Sequence, residues 1–119
     1  MKTTLILGAS SNPERYSYKA TVKLKAYGHK VYPVGIKEGE IEGEKILTNK
    51  PVPKDVNTVT IYLSVKNQKE WYDYIFSLNP KRIIFNPGAE NPELESLATS
   101  KGIECLEACT LVTLSIGNY

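Results

Sequence analysis

The feature that most constrains the fold is a short apolar run that ends in a turn of small residues. Leu5-Ile6-Leu7 is followed at once by Gly8-Ala9-Ser10-Ser11-Asn12-Pro13, and a helical pattern begins at Ser17. A buried strand that ends in glycine and leads into a helix is typical of the first βα turn of a nucleotide-binding α/β sheet, where small side chains let phosphates reach backbone N–H groups. We therefore expect this turn to hold a phosphate-bearing ligand.

The turn departs from the G-x-G-x-x-G pattern of dinucleotide-binding proteins, because the second and third glycines would fall at Ser10 and Pro13. The tip of the second predicted strand departs as well. It reads Val34-Gly35-Ile36-Lys37, without the carboxylate that accepts from the ribose 2′-OH of NAD. This favours a ligand with an extra phosphate on its ribose, as in NADP or coenzyme A, while Glu38 keeps NAD open.

Apolar periodicity predicts alternating strands and helices along the whole chain. Strands are predicted over residues 3–8, 30–34, 58–65, 81–86 and 103–108. Helices are predicted over 17–27, 67–78 and 91–102, with caps at Ser17, Asn67 and Asn91, and a short terminal helix over 110–116. Residues 36–57 carry many glycines, prolines and charges, and we expect an irregular crossover there with at most one helical turn.

This alternation implies an α/β fold, a Rossmann-like three-layer sandwich with a five-stranded parallel sheet. Right-handed crossovers give the order 3-2-1-4-5 most simply. The length of 119 residues is near the commonest domain size, so residues 1–119 are expected to form one domain. The apolar stripes predicted to face the sheet are Ala20, Leu24 and Tyr27 in the first helix and Trp71, Ile75 and Leu78 in the second.

The predicted topology also locates the ligand site. Ligands of such sheets bind beyond the carboxyl ends of the strands, here where strands 1 and 4 diverge. Arg15 offers a guanidinium fork for a phosphate, and the edge formed by residues 33–35 offers an apolar surface for adenine. The residues predicted to bind the ligand are Gly8, Ala9, Ser10, Ser11, Arg15, Pro33, Val34, Gly35, Lys37, Leu63, Ser64, Val65, Asn86, Pro87 and Gly88.

Composition argues against several classes of protein. A net charge of +2, a pI of about 8.5 and scattered basic residues do not indicate a nucleic-acid partner. The N-terminus lacks the pattern of a signal peptide, and the longest nearly uncharged stretch, residues 108–119, is too short to cross a bilayer. We expect a cytoplasmic protein with a small-molecule ligand and no membrane partner, and we leave a homo-oligomer open.

The cysteines and the single histidine indicate neither a metal site nor a catalytic one. Cys105 and Cys109 would lie about 13 Å apart in an extended strand, and a disulfide needs less than about 7 Å. His29 is the only histidine, so neither a zinc site nor a histidine base for Ser10 or Ser11 can be assembled. We expect Cys109 to be structural, with a reactive thiol just beyond the last strand as the alternative.

Four segments give the chain a resemblance to a known family. They are residues 8–13 (GASSNP), 25–34 (KAYGHKVYPV), 41–45 (IEGEK) and 86–89 (NPGA), and Cys109 matches a cysteine that recurs after the last strand of that family. In this order they resemble the small single-domain coenzyme A-binding proteins, related to the CoA-binding domain of succinyl-CoA synthetase α subunits. Many relatives read Pro-Val-Asn-Pro where this chain has Pro33-Val34-Gly35-Ile36.

The resemblance implies that the chain binds coenzyme A or an acyl-CoA and has no catalytic activity of its own. In the synthetase relatives a lysine shortly after strand 2 meets the ribose phosphate, so the resemblance implies that role for Lys37. Two alternatives remain open at this point. One is an NAD(P)-binding sensor or reductase-like protein, with NADP as the cofactor, and the other is a protein-interaction module with a vestigial nucleotide site.

Overall fold

The computed structural model, which describes residues 1–119, alternates strands with helices along the chain. The long strands are β1 (Thr4–Leu7), β2 (Val31–Val34), β5 (Thr58–Ile61), β6 (Arg82–Phe85) and β7 (Glu104–Glu107), and two short ones are β3 (Glu40–Ile41) and β4 (Glu44–Lys45). The helices are α1 (Tyr16–Ala26), α2 (Tyr72–Ser77), α3 (Pro92–Ser100) and α4 (Thr110–Ser115). The longest has 11 residues, and none has the length and apolar character that crossing a bilayer requires.

The five long strands form one sheet in the order β2-β1-β5-β6-β7, and every neighbouring pair is parallel. β1, β5 and β6 have no exposed residue, as is expected of parallel strands covered by helices on both faces. The predicted α/β class and the five-stranded parallel sheet are confirmed.

The position of β5, the third long strand along the chain, differs from the simplest strand order. β5 pairs with β1, with Thr4 opposite Thr58, and not with β2, so the long strands run 2-1-3-4-5 rather than 3-2-1-4-5. The outer edge of β2 is occupied by the returning crossover, because the Leu47 N–H donates to the Pro33 carbonyl at 2.8 Å. Pro33 also has no N–H to offer a further strand. In both orders the chain adds strands first on one side of β1 and then on the other. The topological switch point therefore stays beside β1, and the expected position of the site is unchanged.

The crossover contains a β-hairpin instead of the helical turn that we allowed for. β3 and β4 pair antiparallel, and Glu42 and Gly43 connect them with φ values of 45° and 88°. Two consecutive positive φ values are what a tight two-residue hairpin turn requires, and glycine at the second position makes the turn accessible. The pair Glu42-Gly43 is therefore a hairpin signal as well as a helix breaker.

Helix α1 begins one residue earlier than predicted and buries a different stripe. Arg15 is the N-cap and makes no side-chain capping bond, whereas Ser17 is buried inside the first turn. Ala20 and Leu24 are fully buried, as predicted, but Tyr27 is 53% exposed at the C-cap. The predictions that Ser17 caps the helix and that Tyr27 faces the sheet are therefore wrong. A turn over residues 12–15 precedes the helix, and Arg15 takes the N-cap position.

A buried amide, not a helix cap, organises the chain after β5. Two 3₁₀ turns, Val65–Asn67 and Lys69–Trp71, replace the first half of the predicted helix, so Asn67 is not its N-cap. Gln68 is fully buried, and its Nε2 donates to the carbonyls of Leu63 and Ala89, each at 2.8 Å. Asn91 in turn donates to Gln68 Oε1 at 2.9 Å, which joins two loops at the carboxyl edge of the sheet.

The Asn91 cap of α3 and the apolar stripe predicted for the second helix are confirmed. Asn91 caps α3, where its Oδ1 accepts from the Leu94 N–H at 3.1 Å and Pro92 is the first helical residue. The larger core lies on the face covered by α2 and α3 and includes Trp71, Ile75 and Leu78. The opposite face carries a smaller core of Ile6, Leu24, Val31 and Leu114, covered by α1 and α4.

Candidate functional site

A cavity of about 670 Å³ lies beyond the carboxyl ends of β1 and β2. It is lined by residues 8–11, 14–17 and 35–38 together with Ile46, Tyr62, Leu63, Trp71 and Pro87. It brings together nine of the predicted site residues: Gly8, Ala9, Ser10, Ser11, Arg15, Gly35, Lys37, Leu63 and Pro87. The topology argument thus leads to a real cavity built around the turn after β1.

The other predicted positions do not reach this cavity. Val34 is fully buried in the core, and Pro33 lines a different cavity at the outer edge of β2. Asn86 is buried and donates to Thr60 Oγ1 at 2.6 Å and to the Ile61 carbonyl at 3.0 Å, so its amide is used within the fold. Ser64, Val65 and Gly88 are exposed outside the cavity wall.

The free N–H donors of the turn after β1 are not those of the residues nearest to β1. The N–H groups of Gly8 and Ala9 both donate to the Val34 carbonyl, at 3.0 and 2.9 Å. Those of Ser10 and Ser11 make no hydrogen bond within the chain. The available donors therefore lie two and three residues further along the turn than Gly8.

The glycines of the site are required by close packing. Gly8 has φ +94°, and a Cβ there would lie 3.1 Å from Leu63 Cδ2 and 3.2 Å from the Tyr62 carbonyl carbon. An L side chain at this φ is strained whatever the space around it. Gly8 is therefore needed by the fold itself, and a substitution there would not isolate an effect on ligand binding.

The amino end of α1 points its unpaired N–H groups toward the same region. Tyr16, Ser17 and Tyr18 occupy the first turn, and their N–H groups have no acceptor in the chain. Such a helix end carries about half a positive charge and binds anions readily.

Two cations in the wall make no ion pair. Arg15 and Lys37 are exposed, and the ion pairs of the structure are Lys25 with Glu44 and Lys30 with Asp55, both elsewhere. The carboxylates of Glu14 and Glu38 also line the cavity, so the formal charges of its side chains balance. Attraction for an anion therefore depends on where Arg15, Lys37 and the free N–H groups lie, not on an overall positive charge.

Apart from Leu63, the sequence reasoning missed the large apolar residues of the wall. Ile46 follows the unexpected hairpin, and Trp71 had been assigned only to the core. Lys50 Nζ lies 4.5 Å from the centroid of the Trp71 ring. Tyr62 also lines the cavity, and burial raises the pKa of its hydroxyl, which is buried without a partner and remains protonated. No local pattern marks these residues as neighbours of the turn.

The single histidine and the cysteines lie outside the cavity. His29 is at the amino end of the sheet, where its Nδ1 accepts from the Lys2 N–H at 2.9 Å. Cys105 and Cys109 are free and partly buried, and Cys109 is the N-cap of α4. No three His, Cys, Asp or Glu side chains come close enough together to hold a metal ion.

Comparison with known proteins places the chain among relatives. Residues 2–115 match a family model described as a CoA binding domain. A stretch of 67 residues is 36% identical to the alpha subunit of the ADP-forming acetate–CoA ligase II of Pyrococcus furiosus. That match covers 55% of this chain and 15% of the ligase subunit, so the chain spans only a small part of that relative's length.

Solved structures share the fold of this chain. The crystal structure of an uncharacterized protein matches 100% of this chain and 98% of its own, with a TM-score of 0.98 and 51% identity. A conserved hypothetical protein from Pyrococcus furiosus matches with a TM-score of 0.80 and 27% identity, over 94% of this chain and 98% of its own. A hypothetical protein from Pyrococcus horikoshii OT3, at 24% identity, has a TM-score of 0.86 over 97% of this chain and 82% of its own, and supports the fold alone.

Proposed function

Because this chain belongs to the family of CoA binding domains, we propose that it binds coenzyme A in the cavity beyond β1 and β2. The observation that carries the proposal is the combination, in one cavity, of two free N–H groups with two cations that have no ion-pair partner. Coenzyme A carries a pyrophosphate and a 3′-phosphate, which are the groups that such donors bind.

The position of each donor suggests which phosphate it meets. The N–H groups of Ser10 and Ser11 lie beside the amino end of α1 and Arg15, and we assign the pyrophosphate to this group. Lys37 lies just beyond the end of β2, the strand that neighbours β1, and we assign the 3′-phosphate to it. The apolar part of the wall, with Ile46, Leu63 and Trp71, is left for the pantetheine arm.

We further propose that the chain acts as a binding module that does no chemistry on its ligand. The one histidine lies at the opposite end of the sheet, and the Tyr62 hydroxyl, held protonated by burial, is a poor proton acceptor. The family and the ligase relative both favour coenzyme A, and neither lends support to NADP. The reaction of the ligase is not carried over, since the match covers only 15% of that subunit.

Isothermal titration calorimetry with coenzyme A, acetyl-CoA, dephospho-CoA, NADP and NAD tests the proposal. We expect one molecule of coenzyme A per chain and binding about tenfold or more weaker for dephospho-CoA, since a charge-assisted contact contributes about 1.5–3 kcal/mol. At 100 times its Kd, coenzyme A should also raise the free energy of unfolding by about 2.7 kcal/mol. Equal or tighter binding of NAD or NADP would show that the proposal is wrong.

A further inference from the structure

Lys50, in the crossover between β4 and β5, has a backbone conformation that its sequence does not favour. Its φ of 51° lies in the left-handed region, and Pro51 follows, whose ring pushes the preceding residue toward extended conformations. The two other non-glycine residues with positive φ have local reasons. Glu42 lies in the hairpin turn, and Asn79 follows the C-cap of α2, where asparagine is tolerated. Tertiary contacts must therefore hold Lys50 in place.

Two contacts hold this part of the crossover beside the cavity. The Tyr74 hydroxyl donates to the Pro51 carbonyl, which ties the crossover to α2. Lys50 Nζ lies 4.5 Å from the centroid of the Trp71 ring, and Trp71 lines the cavity although it is only 5% exposed. The ammonium group of Lys50 is thus fixed next to the apolar part of the cavity wall.

The contacts within the chain do not offset the strain at Lys50. The residue is exposed, and it belongs to neither of the two ion pairs of the structure. An exposed cation–π contact contributes less than a left-handed backbone costs at a non-glycine residue. Strained residues of this kind cluster at ligand-binding sites, where a bound group supplies a further interaction. For an ammonium group beside a cavity, that bound group is an anion.

The phosphates of coenzyme A already have other partners in the proposed arrangement. The pyrophosphate is assigned to the turn after β1 and the 3′-phosphate to Lys37. The pantetheine arm is assigned to the apolar wall that contains Trp71, so the group nearest to Lys50 is the one attached to the end of that arm. In an acyl-CoA, this group is the acyl group.

We infer that Lys50 selects acyl-CoA ligands whose acyl group ends in a carboxylate, as in the thioesters of dicarboxylic acids. The inference rests on the proposed function and names the class of acyl group that the site takes. The ammonium group binds the carboxylate by a charge-assisted hydrogen bond, while the Trp71 ring packs against the methylene groups of the acyl chain. A neutral acyl group of the same length gains only the packing.

Calorimetry with thioether analogues tests the inference, since thioethers are not hydrolysed during a titration. One pair of ligands is S-carboxymethyl-CoA and S-carbamoylmethyl-CoA, and a longer pair carries a 3-carboxypropyl group or its amide. The two members of each pair are nearly equal in size and differ in charge. We expect the wild type to bind the acid of at least one pair about fivefold or more tightly than its amide. Lys50→Gln should remove this difference, and Lys50→Arg should keep it.

Lys54 provides the matched control, because it is an exposed lysine of the same crossover with no ion pair and no place in the cavity wall. Lys54→Gln should keep the preference for the acid, and every variant should bind coenzyme A itself as the wild type does. Thermal unfolding measures the strain independently of any ligand. Lys50→Gly should unfold at a higher temperature than Lys54→Gly, since glycine adopts the left-handed region without strain.

The possible outcomes separate the inference from the proposed function. Equal binding of acid and amide by the wild type, or a preference that Lys50→Gln retains, overturns the inference alone. A loss of affinity for coenzyme A itself in Lys50→Gln also overturns it, because Lys50 would then meet a phosphate. The same holds if Lys50→Gly unfolds no higher than Lys54→Gly. A wild-type chain that binds neither coenzyme A nor any analogue overturns the proposed function as well.

Discussion

A Cβ built on Gly35 would lie 2.7 Å from the carbonyl oxygen of Ala9, closer than real Cβ atoms come to such an oxygen. Ile46 Cγ2 lies 3.2 Å away from the same position. The tip of β2, the turn after β1 and the residue that follows the hairpin are therefore in direct contact. These three segments form adjoining walls of the cavity, so a change in one must displace another.

Substitution of Gly35 should couple stability to ligand binding. Gly35→Ala forces the Ala9 carbonyl to move, which should lower the free energy of unfolding by about 1–3 kcal/mol, as overpacking does. The same movement displaces Ser10 and Ser11, so the Kd for coenzyme A should rise by about tenfold. Urea denaturation and calorimetry on one preparation measure both effects.

Gly28→Ala is the matched control. Gly28 has φ +85° and open space around its Cα, so alanine there adds backbone strain of about 1–2 kcal/mol without touching the cavity. Its affinity for coenzyme A should equal that of the wild type. If Gly35→Ala binds coenzyme A as well as Gly28→Ala does, the contact with Ala9 does not shape the site.

Substitution of the two cations of the cavity should affect recognition of the 3′-phosphate differently. Lys37→Gln should weaken coenzyme A by about tenfold or more and leave dephospho-CoA nearly unchanged, whereas Arg15→Gln should weaken both ligands. Lys81→Gln is the control, because Lys81 is an exposed lysine immediately before β6, at the amino end of the sheet. Equal losses of affinity for both ligands in Lys37→Gln would show that Lys37 does not recognise the 3′-phosphate.

Gln68 should be more important for stability than its position in an irregular segment indicates. Gln68→Leu leaves the carbonyls of Leu63 and Ala89 without partners and removes one of the two acceptors of the Asn91 Nδ2, which keeps its bond to the Tyr72 hydroxyl. Unsatisfied buried groups cost about 1–3 kcal/mol each, so we expect a loss of about 2–4 kcal/mol in urea denaturation. Asn67→Ala, which removes only an exposed bond to Ser64, should stay within about 0.5 kcal/mol of the wild type. Similar losses in the two variants would contradict the role of the buried amide.

The sequence predicted the features that depend on neighbours along the chain. The small-residue turn after β1, the Asn91 cap with Pro92, and the stripe of Trp71, Ile75 and Leu78 all follow from local propensity and periodicity, and all are present. The class of sheet follows from the alternation of these elements.

What the sequence did not reveal depends on contacts between distant segments. The Val34 carbonyl takes the N–H groups of Gly8 and Ala9, so only the paired strands show that Ser10 and Ser11 are the free donors. The place of β5 beside β1 is likewise settled by the crossover that occupies the outer edge of β2. Tertiary pairing of this kind leaves no mark in a local window of sequence.

Cys109 should remain unmodified when the protein meets oxidised ligand. It is only partly exposed and does not line the cavity. A thiol needs access and thiolate character to attack a disulfide, with release of one molecule of thiol. Intact mass spectrometry after incubation with CoA disulfide should show the mass of the unmodified chain. A gain of one CoA that reduction reverses and Cys109→Ser abolishes would contradict this expectation.

Acidification should loosen the amino end of the sheet through His29. Burial, the N-terminal amine and Lys2 lower the pKa of the imidazole, and Arg82 adds a smaller contribution in the same direction. Its Nδ1 accepts from the Lys2 N–H at 2.9 Å, which requires the neutral ring, and the ring packs edge-on against Tyr119 at 5.0 Å. The folded protein therefore binds this proton more weakly than the unfolded chain, whose histidine has a pKa of about 6.5.

The sign of the effect follows from this difference. Stability is fully present above about pH 6.5 and is lost as the pH falls through that value toward the lowered pKa of the folded state. Urea denaturation from pH 7.5 to 5.5 should show the loss, and His29→Gln should flatten it, since His29 is the only histidine. Parallel pH profiles for the two proteins would show that the contact between His29 and Lys2 does not set the pH dependence.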